Sequence, residues 1–380
     1  MEGQTELHAG LKGVVIGQST ICFIDGEHGI LRYRGYSIED LAKDSTYEET
    51  AYLLTYGDLP SNHELRTFSQ ELKEHRALSA IELEILRALP GVASPMDVLR
   101  TMVSVSALFE PEADDSSEEA QQKRALTLIA RFPTILAAHD RLRRNGKPVG
   151  PHSTLSHAAN FLYMLSGEVP KEISARVFDV CLILHAEHGF NASTFAARVT
   201  ASTLSDLYSA MTSAIGTLKG PLHGGANAQV LEMLQTIKSV KSVQAHIEGM
   251  LTRKEKIWGM GHRVYKTKDP RAFILQALIE QLARDRGEDP LYEVAREVEK
   301  VGIELLGKKG IYPNVDFYSA VVYHMLSIPV DLFTPVFALG RVSGWAAHVL
   351  EQYRDNVLIR PQEQYVGPGE RAYTPIDQRG

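Results

Sequence analysis

The sequence predicts an all-α protein with one small β element near its N-terminus. Three observations carry that expectation. Helical periodicity runs through most of the chain, several periodic segments are apolar almost all round, and a strand-like stretch lies near the start. The 380 residues, 44% hydrophobic and 23% charged, suffice for a large core and favour two domains.

The elements can be justified in chain order. "TICFIDGEHGILRYRGYSI" reads as a β-hairpin, because apolar runs flank the turn signal Asp25-Gly26-Glu27-His28-Gly29. "EPEADDSSEEAQQKR" is polar and acidic and reads as an exposed loop leading into a helix, and "RRNGKPVGPHS" is a second loop, fixed by glycine and proline. "EISARVFDVCLILHA" and "FYSAVVYHML" are apolar on nearly every side, so they belong in a central helix layer rather than a simple bundle. "PLYEVAREVEKVGIELLGKKG" is amphipathic. Asp289 is placed to cap it, Pro290 takes the first position, Leu291, Val294, Val298, Val301 and Leu305 share one face, and Lys308, Lys309 and Gly310 close it. No internal repeat or low-complexity tract appears.

Totals exclude several functions. A net charge of −7 offers no basic field for nucleic acid. Cys22 and Cys181 lie far apart with no C-x-x-C, which argues against a disulfide framework or zinc site and fits a reducing compartment. "MEGQTELHAGLKG" resembles neither a signal nor a transit peptide, and the most apolar long segment, 317–330, is short of the roughly 20 residues that span a bilayer. The expected location is cytoplasmic, with no membrane partner. Phosphate-loop and G-x-S-x-G motifs are absent, "GMGHRV" has Val264 where a third dinucleotide-fold glycine belongs, and "HAEH" lacks the H-E-x-x-H zinc pattern.

Three polar clusters remain. In "KGPLHGGANAQVLEML", His223 precedes a helix expected to start near Ala226, where free backbone N–H groups and the dipole favour a neutral, donating imidazole. The alternative is a turn histidine capping its own loop. In "GMGHRVYKTKDPR", Gly259 and Gly261 allow close backbone approach to a ligand, His262 can exchange a proton, and Arg271 can fork onto a carboxylate. Arg263, Lys266 and Lys268 add charge to the same stretch, and a solvated basic loop is the alternative. In "YPNVDFYSAVVYHML", Asp316 precedes an apolar helix. It is either that helix's N-cap or a general base whose pKa is raised by desolvation. Two histidines, a carboxylate and arginines suit an aldol- or Claisen-type condensation. A carboxylate removes a proton α to a carbonyl, a neutral donor holds the enol oxygen, and a second histidine activates the other carbonyl.

"GPLHGGAN", "GMGHRVYKTKDPR" and "PNVDFYS", in that order, together with "GLKGVVIGQSTICFIDGEHGILRYRGYSIEDLA" and "LIRPQEQYVGP", make the chain resemble the citrate synthase family over nearly its whole length. The resemblance implies a two-domain helical fold, with a small domain at 222–322 closing over a large domain built from 1–221 and 323–380. It also implies that acetyl-CoA condenses with oxaloacetate and citryl-CoA is hydrolysed, the entry step of the tricarboxylic acid cycle. Asp316 would take the methyl proton, His223 would hold the enol oxygen, and His262 would polarise and protonate the keto group. His188, Arg271 and Arg341 match the family's oxaloacetate ligands. Arg360 matches the arginine donated by the other subunit of a homodimer, and a higher homo-oligomer is compatible. Arg263, Lys266 and Lys309 are the candidates for CoA phosphates. Acetyl-CoA enters as co-substrate, with no permanently bound cofactor and no metal. The competing readings are 2-methylcitrate synthase, which uses propionyl-CoA on the same residues, and a non-catalytic helical assembly module.

Overall fold

The computed structural model of the protein describes residues 7–11, 13–110, 115–287 and 289–380. Part of the acidic loop expected at "EPEADDSSEEAQQKR" and the start of the N-terminal stretch lie outside the described residues. Strands β1 (Cys22–Asp25) and β2 (Ile30–Tyr33) pair antiparallel, with Cys22 opposite Tyr33 and Asp25 opposite Ile30. Asp25 Oδ1 closes the turn by accepting the backbone N–H groups of Glu27 and His28. A third strand, β3 (Tyr36–Ser37), extends the sheet on the β2 side and was not anticipated. Arg34 and Gly35 both take positive φ and turn the chain at once, and a two-residue strand carries no readable period.

Sixteen helices follow among the described residues. They are α1 (Ile38–Asp44), α2 (Tyr47–Tyr56), α3 (Asn62–Glu74), α4 (Ala80–Ala88), α5 (Pro95–Ala107), α6 (Glu118–Arg143), α7 (His157–Ser166) and α8 (Glu172–His185), then α9 (Ala192–Ser202), α10 (Leu207–Lys219), α11 (Ala226–Thr236), α12 (Val243–Thr252), α13 (Pro270–Arg286), α14 (Pro290–Leu306), α15 (Val315–Met325) and α16 (Phe333–Arg354). The two apolar segments become α8 and α15, buried on most sides as their composition requires. α16 is buried along most of its length and touches α2, α5, α6, α8, α9, α10 and α11, so it forms the axis of the core. Asp289 caps α14 by accepting the Leu291 N–H at 2.9 Å, with Pro290 at the first position, as expected. One position on that face is corrected: Leu305 is exposed and Leu306 is buried, because a 3.6-residue period moves the stripe off Leu305 at the last turn.

Helices α11 to α15 pack chiefly on one another, α13 also lies against α1 and α8, and α11 also meets α16. The loops α8–α9, α10–α11 and α12–α13, and the start of α15, bring the polar clusters to the junction between these two groups of helices. Residues beyond α16, from 355 to 380, are mostly exposed and helical only in one short 3-10 turn. No described helix is long and apolar enough to cross a membrane. Both cysteines are free.

Candidate active site

The 259–271 stretch is laid along the segment that leads into α15. Gly261 N–H donates to Tyr312 O at 2.7 Å, Asn314 Nδ2 donates to Gly261 O at 2.8 Å, and Met260 bridges to Pro313. Gly259 has φ 77, and a Cβ there would fall 2.8 Å from the side chains of Phe317 and Val230. That glycine therefore lets the loop press against α15 and α11. Packing against those two helices is by itself reason enough for a glycine at this position.

The four cations of the loop divide into two pairs. Lys268 is nearly buried, its Nζ 2.5 Å from Glu299 Oε1 and 2.8 Å from Gln276 Oε1. Arg271 is buried and grips Asp269 with two bonds, Nε to Oδ1 at 3.0 Å and Nη2 to Oδ2 at 2.7 Å. Arg263 and Lys266 are exposed and form no ion pair with the described residues. A uniformly solvated basic loop is thereby excluded, since two of its charges are structural and internal.

His262 Nδ1 accepts the backbone N–H groups of Val264 at 3.0 Å and Tyr265 at 3.3 Å. This network assigns the neutral tautomer with its proton on Nε2. Burial, then the nearby Arg271, pushes the imidazole down to about 4.

His223 is held differently. Its Nε2 accepts the N–H of Ser193 at 3.2 Å, and Ser193 Oγ lies 2.8 Å from the same nitrogen. The free N–H groups that matter belong to the first turn of α9, not to α11 as the sequence suggested, although α11 does start at Ala226. Nor does His223 cap its own loop. The N–H from Ser193 leaves the His223 proton on Nδ1. Burial, then Arg341 and Arg263, holds it near 4.

Asp316 is not the cap of α15. Asn314 is, accepting the Asp316 N–H at 3.0 Å, and Asp316 takes the second helical position. The carboxyl keeps some accessible surface yet is walled in by protein. Desolvation pushes it up to about 6, opposed most strongly by Arg271.

Arg341 is buried in α16, with Nε donating to His185 O at 2.6 Å and its guanidinium 4.6 Å from the Phe337 ring centre. Burial lowers its pKa from the usual range. His188, also buried and neutral, packs 5.2 Å from the His262 ring and is kept well below the usual imidazole range by burial and Arg271.

His188, His223, His262 and Asp316 are linked through the buried charges of Arg271 and Arg341, each of the four lying within the field of at least one of them. Two other candidates do not join them. Arg360 lies exposed on the C-terminal tail and makes no side-chain bond to described residues of its own chain, and Lys309 is exposed in the turn after α14. The sequence reading missed Ser193, Trp345 and Tyr265. Trp345 Nε1 donates to Ser193 Oγ at 3.1 Å, and Tyr265 Oη lies 3.1 Å from His188 Nε2. Nothing near Ser193 in the sequence marks it, and only its place in the first turn of α9, 30 residues before His223, makes it a partner. No group of three or more His, Cys, Asp or Glu side chains among the described residues is arranged to hold a metal ion.

The family model for the C-terminal domain of citrate synthase matches residues 10–362. The chain belongs to the citrate synthase family. As a member it is an acyltransferase that forms a carbon–carbon bond. It is 50% identical over 380 residues to the citrate synthase of Haloferax volcanii, covering 98% of this chain and 99% of that one. It is also 43% identical over 372 residues to a 2-methylcitrate synthase of Shewanella oneidensis, with 98% of each covered. Among solved structures, the citrate synthase of Thermoplasma acidophilum, determined as a ternary complex with carboxymethyl coenzyme A and oxaloacetate, superposes with a TM-score of 0.93 at 36% identity. That match covers 98% of this chain and all of the other.

Proposed function

We propose that Asp316, His223 and His262 carry the condensation of acetyl-CoA with oxaloacetate, followed by hydrolysis of citryl-CoA to citrate and CoA. One observation supports this most directly. A carboxyl held near 6 by burial shares a site with two neutral imidazoles, each with one nitrogen tied to backbone N–H and the other left to donate. Asp316 takes a methyl proton from the thioester, and His223 Nδ1–H bonds the enol oxygen that results. The enol carbon attacks the keto carbon of oxaloacetate while His262 Nε2–H polarises the keto oxygen and protonates it as it becomes a hydroxyl. Water then cleaves the thioester of citryl-CoA, releasing citrate and the CoA thiol, and the proton that Asp316 took passes through solvent to His262, so both groups return to their starting states.

Arg271, Arg341 and His188 hold the carboxylates of oxaloacetate, with Arg360 of the partner subunit completing the set in a homodimer. Arg263, Lys266 and Lys309 meet CoA phosphates, a role suited to exposed cations without partners in the chain. Residues 222–322 act as a small domain that closes on 1–221 and 323–380 and shuts water away from the enol.

The likeness to a 2-methylcitrate synthase keeps propionyl-CoA as a second acyl donor, since one methylene changes pocket binding by only about 1–3 kcal/mol. Thiol release with oxaloacetate, comparing acetyl-CoA and propionyl-CoA, decides between them. Faster release with acetyl-CoA is the expected result, a propionyl preference would move the protein to methylcitrate synthesis, and release with neither would overturn the catalytic reading.

A further inference from the structure

We propose that Tyr265 is a positioning residue for the keto-acid substrate, a single side chain that sets the aim of both His188 and His262. The proposal rests on the roles given above to those two histidines. Three contacts carry it. The Tyr265 hydroxyl is 3.1 Å from His188 Nε2, its backbone N–H donates to His262 Nδ1 at 3.3 Å, and its ring centre lies 4.9 Å from the His262 ring and 5.5 Å from that of His188.

The residue is itself immobilised. It is almost wholly buried, and the next backbone N–H, that of Lys266, donates to Gly26 O in the β1–β2 turn at 2.9 Å. A Cβ at Gly26 would stand 2.2 Å from Val264 O, so the turn and the loop touch backbone to backbone. Burial also keeps the phenol protonated across the working pH range. Tyr265 therefore presents a fixed hydroxyl to an uncharged imidazole. Without that partner, the His188 ring is held by packing alone, and part of its orientation towards a carboxylate would have to be established at each binding event. Arg271 and Arg341 supply attraction for a dicarboxylate, and the paired histidines supply its angle.

Two variants separate the hydroxyl from the ring. Tyr265→Phe keeps the packing and removes the bond. The expected result is an oxaloacetate KM raised about five- to tenfold with the acetyl-CoA KM at saturating oxaloacetate unchanged, and a small fall in melting temperature because a buried His188 nitrogen loses its partner. Tyr265→Leu also removes the surface against His262, and kcat is expected to fall as well. Calorimetric titration of oxaloacetate alone should show the same loss of affinity in Tyr265→Phe. An unchanged oxaloacetate affinity in that variant, or equal effects on both substrates, would overturn the proposal. The wild-type protein distinguishes the two levels. Oxaloacetate binding without turnover would refute the catalytic reading while the titration still judged Tyr265, and absence of oxaloacetate binding would overturn both.

Discussion

The role proposed for Asp316 depends on a displacement of two residues. Asn314 caps α15, so the aspartate is released from capping and turned into a site that strips water from it. A carboxyl raised to about 6 must lose its proton to act as a base, so activity should fall as pH drops through about 6 rather than through the usual carboxylate range near 4. His223 and His262, both near 4, stay neutral above pH 5 and add no limb there. The sign for stability is opposite to that of a salt-bridged acid. Because the folded pKa is raised, ionisation opposes folding fully above about 6, and the penalty vanishes below the unfolded value of 3.8. Asp316→Asn should therefore lose about 10²–10⁴ in turnover while gaining about 1–2 kcal/mol of stability at pH 7.5. A pH–rate profile and melting curves measure both. An acid limb near pH 4 would refute the desolvation argument.

At the scale of elements, the 259–271 loop is held in place by two of its own cations. Lys268 Nζ bonds Glu299 of α14, Glu299 accepts from the Tyr318 hydroxyl of α15, and the Lys268 ammonium lies 4.3 Å from the Phe273 ring centre in α13. One nearly buried ion pair thus ties the loop to three helices. Lys268→Met removes a partner and leaves a nearly buried carboxylate, which should cost about 3 kcal/mol and lower the melting temperature. Lys300→Met, which breaks an exposed pair with Glu297, should change stability by less than about 0.5 kcal/mol. Equal shifts in the two variants would show that burial does not govern the pair.

The whole molecule carries two further tests. Arg360 sits on an exposed tail, and the site cluster is assembled without it, so its proposed place is in the other subunit's site. Arg360→Ala and Asp316→Ala should each be nearly inactive alone. Mixed by unfolding and refolding together, they should recover about a quarter of wild-type activity, because half of the random dimers contain one intact site of two. No recovery in mixed dimers would refute donation across the interface. Oxaloacetate at about 100 times its Kd should stabilise the protein by about 2.7 kcal/mol, and X-ray scattering should show a smaller radius of gyration if 222–322 closes. Stabilisation with an unchanged radius would mean binding without closure.

The sequence by itself determined what depends on near neighbours. Helical period made α8 and α15 readable, the Asp289 cap added to it for α14, and turn chemistry marked the hairpin, since those signals lie within a few residues of one another. The proposed site residues His223, His262, Asp316 and Arg271 stand out because the motifs around them are short and contiguous, whereas Arg341 entered only through the family resemblance. The tertiary structure alone decided the electrostatic state of those residues. Ser193 ties down one nitrogen of His223 from the start of another helix, Asp269 and Glu299 leave Arg263 and Lys266 as the loop's unpaired cations, and Tyr265 reaches His188 across 77 residues. β3 and the exposure of Leu305 were invisible for the complementary reason, being too short or too near a helix end to show a period. Desolvation, partner choice and pKa depend on what packing brings within a few ångströms, and a linear pattern holds no record of those distances.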